Sequence, residues 1–368
     1  MSWRACSRAS LMIARRSLAS LILIVFTAAC VSAPNPPPRR APVFIPAPRP
    51  KPPAATPRET TAPSTLFPAL RAIADSFDGK VGIAVTRLDG DWTFSYQGEA
   101  FFPQQSVSKL WVALTVFDAV DSGRMTLDQK VTITRADLTL FHQPIAQLVG
   151  DQGYDTNVSE LLLRAMTQSD NTANDSLLRT VGGPEAVRRM LERKGLNGIR
   201  FAGGERSLQS ATAGLTWQQS YSVGRTFYAV RAKLPDSVRQ EALDRYLATL
   251  PDGAQPQAIV RALAMLKRGG LLSANSTRVL LSLMNEAQTG KQRIAGGVPD
   301  GWRYGHKTGT GQEFAGVSTG YNDVGIMTAP DGTSYAVAVM IASTRAPIPV
   351  RQQMMQGISA TIAAQHRR

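Results

Sequence analysis

The chain has 368 residues, 43% of them apolar, enough for a sizeable core in one large domain or two ordinary ones. Its formal charge of +14 points toward a polyanion, but residues 1–60 hold nine Lys or Arg and one acid, leaving +6 scattered along the rest. No basic stripe interleaved with aromatics supports a nucleic-acid reading, and two cysteines with three scattered histidines exclude a disulfide framework and a metal cluster.

Arg4, Arg8, Arg15 and Arg16 precede an apolar run from Leu18 to Phe26, then Thr27-Ala28-Ala29 and Cys30. This reads as an export segment over residues 1–30, too short to span a membrane comfortably. Cys30 stands where a lipoprotein signal places its acylated cysteine, which implies a periplasmic domain tied to a membrane. Ordinary cleavage after Ala33 is the alternative, and Cys6 lies in the part removed. Twelve of the 23 prolines fall between Pro34 and Pro63, so residues 31–63 read as an extended tether.

The folded part is expected over 64–368. Leu66–Phe77 has helical apolar spacing, and Val81–Arg87 and Trp92–Tyr96 form a hairpin through Asp89-Gly90. Lys109–Val120 is apolar nearly all round, the pattern of a buried central helix. From about 126 to 299 the pattern is mostly helical, and three β-like runs come after it: Arg303–Thr310, Val324–Thr328 and Tyr335–Ile341. Arg351–Ala364 closes as a helix. Strands at both ends with helices between predict an α+β fold: an antiparallel sheet of about five strands, flanked by terminal helices. The sheet lobe takes 64–125 and 300–368, and the helical lobe 126–299.

Three short strings carry chemistry. Ser106-Val107-Ser108-Lys109 opens the buried helix, and one turn of spacing brings Lys109 to the Ser106 hydroxyl. A serine needs such a base to become a nucleophile, and the helix N-terminus offers N–H groups to developing negative charge. Ser169-Asp170-Asn171 supplies a proton shuttle in Ser169 and an amide in Asn171 to hold substrate, with Asp170 bracing the loop. Lys307-Thr308-Gly309-Thr310 lies on a strand, with Lys307 and Gly309 on one face and Thr308 on the other. Lys307 would fix a substrate carboxylate, Gly309 would let substrate approach the backbone, and the N–H of Thr310 with that of Ser106 would form an oxyanion hole.

In this order the three strings resemble those of class A β-lactamases and their penicillin-recognising relatives, from about Leu66 to the C-terminus. The resemblance implies a monomeric, cofactor-free serine hydrolase that opens a β-lactam through an acyl-enzyme on Ser106. It further implies a loop carboxylate that activates the deacylating water, in the pattern Glu-x-x-Leu-Asn. Here Glu205-Arg206-Ser207-Leu208-Gln209 begins 36 residues beyond Ser169, making Glu205 the candidate base and Gln209 its helper.

Four departures stand out. Gln209 replaces Asn; Gly203 replaces the arginine that opens the water-holding loop, with no acidic partner evident at the far end. The gap of 102 residues from Glu205 to Lys307 is longer than the family's, with the surplus between Thr216 and Arg268 in helices such as Val238–Thr249 and Ala258–Lys267. The strand arginine that commonly binds the substrate carboxylate is missing near Asn322, so Arg351, or less favourably Arg345, is expected to reach in. The alternatives are a D-alanyl-D-alanine carboxypeptidase or transpeptidase acting on peptidoglycan peptides, an esterase, and a non-catalytic envelope protein.

Overall fold

A computed structural model of the chain describes residues 61–366; the expected export segment, Cys30 and most of the tether lie outside them. The described part enters through α1 (Leu66–Asp75), whose Leu66, Leu70 and Ala74 recur one turn apart and are all buried. The hairpin comes next as β1 (Lys80–Arg87) and β2 (Thr93–Tyr96), with Ile83 opposite Tyr96 and Thr86 opposite Thr93. Beyond it, α2 (Lys109–Asp121) is buried without a break from Lys109 to Ala119, as its all-round apolar pattern demands.

The middle of the chain is α3 (Val158–Leu163), α4 (Asn171–Thr180), α5 (Gly183–Arg193) and α6 (Glu205–Thr212). Then come α7 (Thr226–Ala232), α8 (Asp236–Thr249), α9 (Pro256–Lys267) and α10 (Ala274–Asn285). A short antiparallel ladder of 130–133 with 154–157 interrupts the helices. The chain closes with β3 (Arg303–Thr310), β4 (Tyr321–Thr328), β5 (Ser334–Ser343) and α11 (Ile348–Gln365).

The five strands pair antiparallel throughout in the order β2-β1-β5-β4-β3, so strands from both ends of the chain make one sheet. Side chains alternate between its faces. On β5, Tyr335, Val337, Val339 and Ile341 join Leu70 of α1 and Met355 and Ile358 of α11 in one core. Ala336, Ala338, Met340 and Ala342 face the other way, into a core shared with α2, α9 and α10. Small residues on that face admit α9 against β1 and β5. Truncating fully buried Leu70 to Ala is expected to cost about 3 kcal/mol.

β4 and β5 run further than their apolar runs indicate, β5 covering Ser334–Ser343 where Tyr335–Ile341 was expected. β4 starts at Tyr321, three residues before Val324, because Asn322 and Asp323 are completely buried with their polar atoms bonded. Asn322 ties the sheet to the segment before Ser106: its amide donates to Pro103 O at 2.7 Å and Gln104 O at 3.1 Å, and Ile341 N donates to its Oδ1. A polar pair inside a strand thus marks the site, not a strand end. β3 is the sheet's edge, and it carries Lys307-Thr308-Gly309-Thr310.

Candidate active site

Ser106 sits in a 3₁₀ turn, Gln105–Ser108, that feeds directly into α2. Gln105 is held at φ +54°, a strained conformation for a residue with a side chain, costing about 1–3 kcal/mol. Partners from far along the chain hold it there. Asp252 Oδ2 accepts from Gln105 N at 2.8 Å, Gln104 Nε2 donates to Asp252 O and Arg200 O, and Trp111 Nε1 donates to Gln104 Oε1. Phe102-Pro103 also pairs with Gly253-Ala254.

Lys109 is buried, and its Nζ is shared three ways: 2.6 Å to Ser106 Oγ, 2.5 Å to Glu205 Oε1 and 2.8 Å to Asn171 Oδ1. The ammonium therefore stands between the serine hydroxyl and a buried carboxylate, an arrangement suited to passing a proton between them. Asn171 Nδ2 donates to Leu140 O, so this side chain fastens Lys109 to the 140–142 loop besides facing the cleft. Asp170 caps α4 by accepting from Ala173 N at 2.9 Å and braces Ile145 N at 2.6 Å.

Ser169 comes directly after a π-helical turn over 164–168 and adopts a left-handed conformation, φ 61°. Such turns recur at functional sites because the extra residue re-aims the side chains beyond the turn. Lys307 Nζ donates to Ser169 Oγ at 2.8 Å. Burial, and next the charge of Lys109, holds the Lys307 ammonium well below the ordinary lysine value, which favours its giving up a proton.

The strand motif differs from expectation in one respect. The space a Gly309 side chain would need is filled by protein: a Cβ there would lie 2.3 Å from Gln104 O and 3.3 Å from Gln105 Cβ. The glycine lets β3 press against the Ser106 turn, so its first role is chain-to-chain contact. Thr308 Oγ1 meets Thr289 Oγ1 at 2.8 Å, and Thr308 and Thr310 both line the cleft.

Arg351 does not reach the cleft. It is buried, donating to Ala346 O at 2.7 Å and to Glu313 Oε1 at 3.1 Å. Arg345 donates to Ala315 O. The cleft arginine beside the strand is Arg293, which sequence reasoning missed. It donates to Gly309 O, Asn322 O and Thr310 Oγ1, and stacks over Tyr321 with 3.8 Å between its Cζ and the ring centre. It sits in an irregular loop with no periodic pattern, so nothing local announces it.

Glu205 begins α6 and is 5% exposed. Its own N–H donates to Asp175 Oδ1 at 2.9 Å, and Arg206 N approaches Oδ2. Gly204 is required here, since a Cβ would lie 2.8 Å from that carboxylate. Burial, reinforced by the charge of Glu205, pushes the Asp175 carboxyl up to about 6.

A directed chain of hydrogen bonds then reaches Glu205 from α8. Tyr246 Oη donates to Asp252 Oδ1 at 3.0 Å and accepts from Gln105 Nε2 at 2.6 Å. Gln209 Nε2 donates to Gln105 Oε1 and to Glu205 Oε2, each at 3.2 Å. Burial and Asp252 push the Tyr246 hydroxyl well above its usual range, so it stays a donor. A carboxylate only accepts, so Asp252 fixes which way each amide in the chain must point.

The far end of the loop is therefore not open, as the missing arginine–acid pair suggested. Asp252 anchors it to the Ser106 turn, and Arg200 donates to the carbonyls of Thr249 and Leu250. Neither Asp252 nor Tyr246 has a local signature of its role, because Gln105, which both of them hold, lies 147 and 141 residues away.

These groups open on one cleft of about 460 Å³, lined by Ser106, Ser169, Asn171, Glu205, Gln209 and the β3 threonines. Phe141, His142, Tyr228, Arg231, Thr289, Arg293, Gly311, Gln312 and Glu313 complete it, so the surplus segment supplies part of the wall through α7.

The profile of the beta-lactamase enzyme family matches residues 65–366. Beta-lactamase VEB-1 of Pseudomonas aeruginosa is 24% identical over 283 residues, covering 77% of this chain and 84% of that protein. Extended-spectrum beta-lactamase PER-1 of the same organism is 27% identical over 285 residues, covering 77% and 82%. Among solved structures, a beta-lactamase from Chitinophaga pinensis aligns with a TM-score of 0.68 at 27% identity, over 82% of this chain and 100% of that one.

Proposed function

The chain belongs to the beta-lactamase enzyme family and is a class A-like serine β-lactamase, and on that premise we propose how its residues carry the reaction. Ser106 Oγ attacks the β-lactam carbonyl carbon while its proton passes over 2.6 Å to Lys109, which reacts as the free amine once its ammonium has given a proton to Glu205 or to water in the cleft. The oxyanion forms against the N–H groups of Ser106 and Thr310. The C–N bond breaks as Ser169, fed by Lys307, protonates the departing nitrogen. Water then attacks the ester; Glu205, again a carboxylate, takes its proton with Gln209 steadying it, and Lys109 returns a proton to Ser106 Oγ as the ester C–O bond breaks. Lys307 and Arg293 flank the strand where the substrate carboxylate would sit.

The single observation that supports this course best is the Lys109 ammonium within 2.6 Å of Ser106 and 2.5 Å of Glu205, joining both half-reactions at one group. The protein is further proposed to act as a monomer in the periplasm, held to the membrane through Cys30 and the Pro-rich tether. Absorbance assays with a penicillin and a cephalosporin, run beside release of D-alanine from a D-alanyl-D-alanine peptide, test the reading. Drug turnover without peptide cleavage is expected. Peptide cleavage with drug bound persistently to Ser106 would instead assign a peptidase.

A further inference from the structure

Arg231 is a cation in the wall of a cleft whose lining carboxylates are otherwise engaged, Glu205 with Lys109 and Glu313 with Arg351. Its Nη1 donates to Gln312 Oε1 at 2.7 Å, and its guanidinium lies 5.5 Å from the Tyr228 ring and 5.7 Å from the Phe227 ring. Among the described residues it pairs with no carboxylate. Arg231 also lines the cleft.

The residue is firmly seated. Phe227 packs edge-on against Phe141, with ring centres 5.1 Å apart, and against Tyr221 at 5.8 Å. This aromatic cluster fixes α7 to the loop that Asn171 holds. Gln312, the partner of Arg231, donates in turn to Gln209 O at 2.8 Å and Oε1 at 3.1 Å. Arg231 therefore belongs to the Glu205–Gln209 side of the cleft, whereas Lys307 belongs to the Ser169 side. The cleft thus has two cationic poles, one on each side of the nucleophile's neighbours.

We propose that Arg231, beside the Tyr228 ring, is a second anion subsite that takes a carboxylate carried on the acyl side chain of the β-lactam, so that dianionic substrates are preferred. A guanidinium fork matches a carboxylate in two parallel hydrogen bonds, and half-burial weakens the competition from water. The position next to an aromatic ring suits a side chain in which the carboxylate adjoins a flat apolar group. The proposal rests on the acyl-enzyme reading of Ser106.

The test uses benzylpenicillin and carbenicillin, which differ only by an α-carboxylate on the side chain. Acylation of Ser106 in the full chain is followed as drug consumption at concentrations well below KM, with rapidly quenched intact-mass spectra recording any adduct, for the wild type, Arg231→Gln and Arg231→Lys, at low and high KCl. In Arg231→Gln the carbenicillin-to-benzylpenicillin ratio of acylation rate constants is expected to fall about 10- to 100-fold. Arg231→Lys recovers part of the ratio, and salt shrinks the wild-type ratio. Acylation by both drugs with a ratio that neither variant changes would overturn the subsite and leave the hydrolase reading standing. An equal loss with both drugs would overturn it too, assigning Arg231 to holding Gln312. Neither drug consumption nor an adduct on the wild type with either drug would sink the acyl-enzyme reading, and this proposal with it.

Discussion

Replacing Tyr246 with Phe removes one oxygen that makes two buried hydrogen bonds, to Asp252 Oδ1 and from Gln105 Nε2. Asp252 keeps its bond from Gln105 N on the other oxygen, so the Ser106 turn stays anchored. Gln105 Nε2 is left with only Thr319 O, at 3.5 Å. An unsatisfied buried donor and a weakened carboxylate contact together cost about 2–3 kcal/mol, or a melting point lower by roughly 3–5 °C. The kinetic consequence is separate. With only that long contact to fix its polarity, the Gln105 amide can turn over, and Gln209 then loses its acceptor and its fixed hold on Glu205 Oε2. Deacylation is expected to slow about 10- to 100-fold, more than acylation does, since small misplacements of a catalytic group have effects of that order. Stopped-flow hydrolysis with mass spectrometric measurement of the acylated fraction separates the two steps. A stability loss with an unchanged deacylation rate, or an equal loss in both steps, would refute the directed chain of hydrogen bonds.

Two other substitutions and one pH profile extend the account. Gly309→Ala drives a methyl against Gln104 O, so it is expected to lower stability by about 1–3 kcal/mol and to depress acylation, measured by urea unfolding and by adduct formation. Asp175 and Asp252 both have folded values of about 6, above the unfolded carboxylate value, so the folded state binds more protons. Their contribution to stability is therefore full at low pH and is lost as pH rises from about 4 to about 6 and beyond. Going from pH 7 to pH 5 should stabilise the protein by about 1 kcal/mol for each group. Urea midpoints for Asp175→Asn and Asp252→Asn should each show that increment reduced.

The nucleophile helix, the hairpin and the edge strand were legible because each has a short-range signal: an all-round apolar helix, Asp89-Gly90, and Lys307-Thr308-Gly309. Glu205 was legible through its spacing from Ser169. The features that escaped depend on distant partners. Asn322 and Asp323 look like a strand boundary until their contacts with Gln104 and Ile294 are seen. Arg293 in the cleft wall and Arg351 outside it are placed by partners that no local pattern shows, Gly309 O and Asn322 O for the first and Ala346 O and Glu313 for the second. The occupied space beside Gly309 is likewise a property of two elements brought together, invisible in either one.

Acyl-enzyme formation in Glu205→Gln tests the central claim most directly. Intact-protein mass spectra are taken at intervals after mixing with a penicillin, alongside the wild type and Ser106→Ala. The wild type is expected to consume drug while staying mostly unmodified, Glu205→Gln to accumulate one adduct on Ser106, and Ser106→Ala to show none. Continued turnover by Glu205→Gln without accumulation, or an adduct that survives loss of Ser106, would contradict the mechanism.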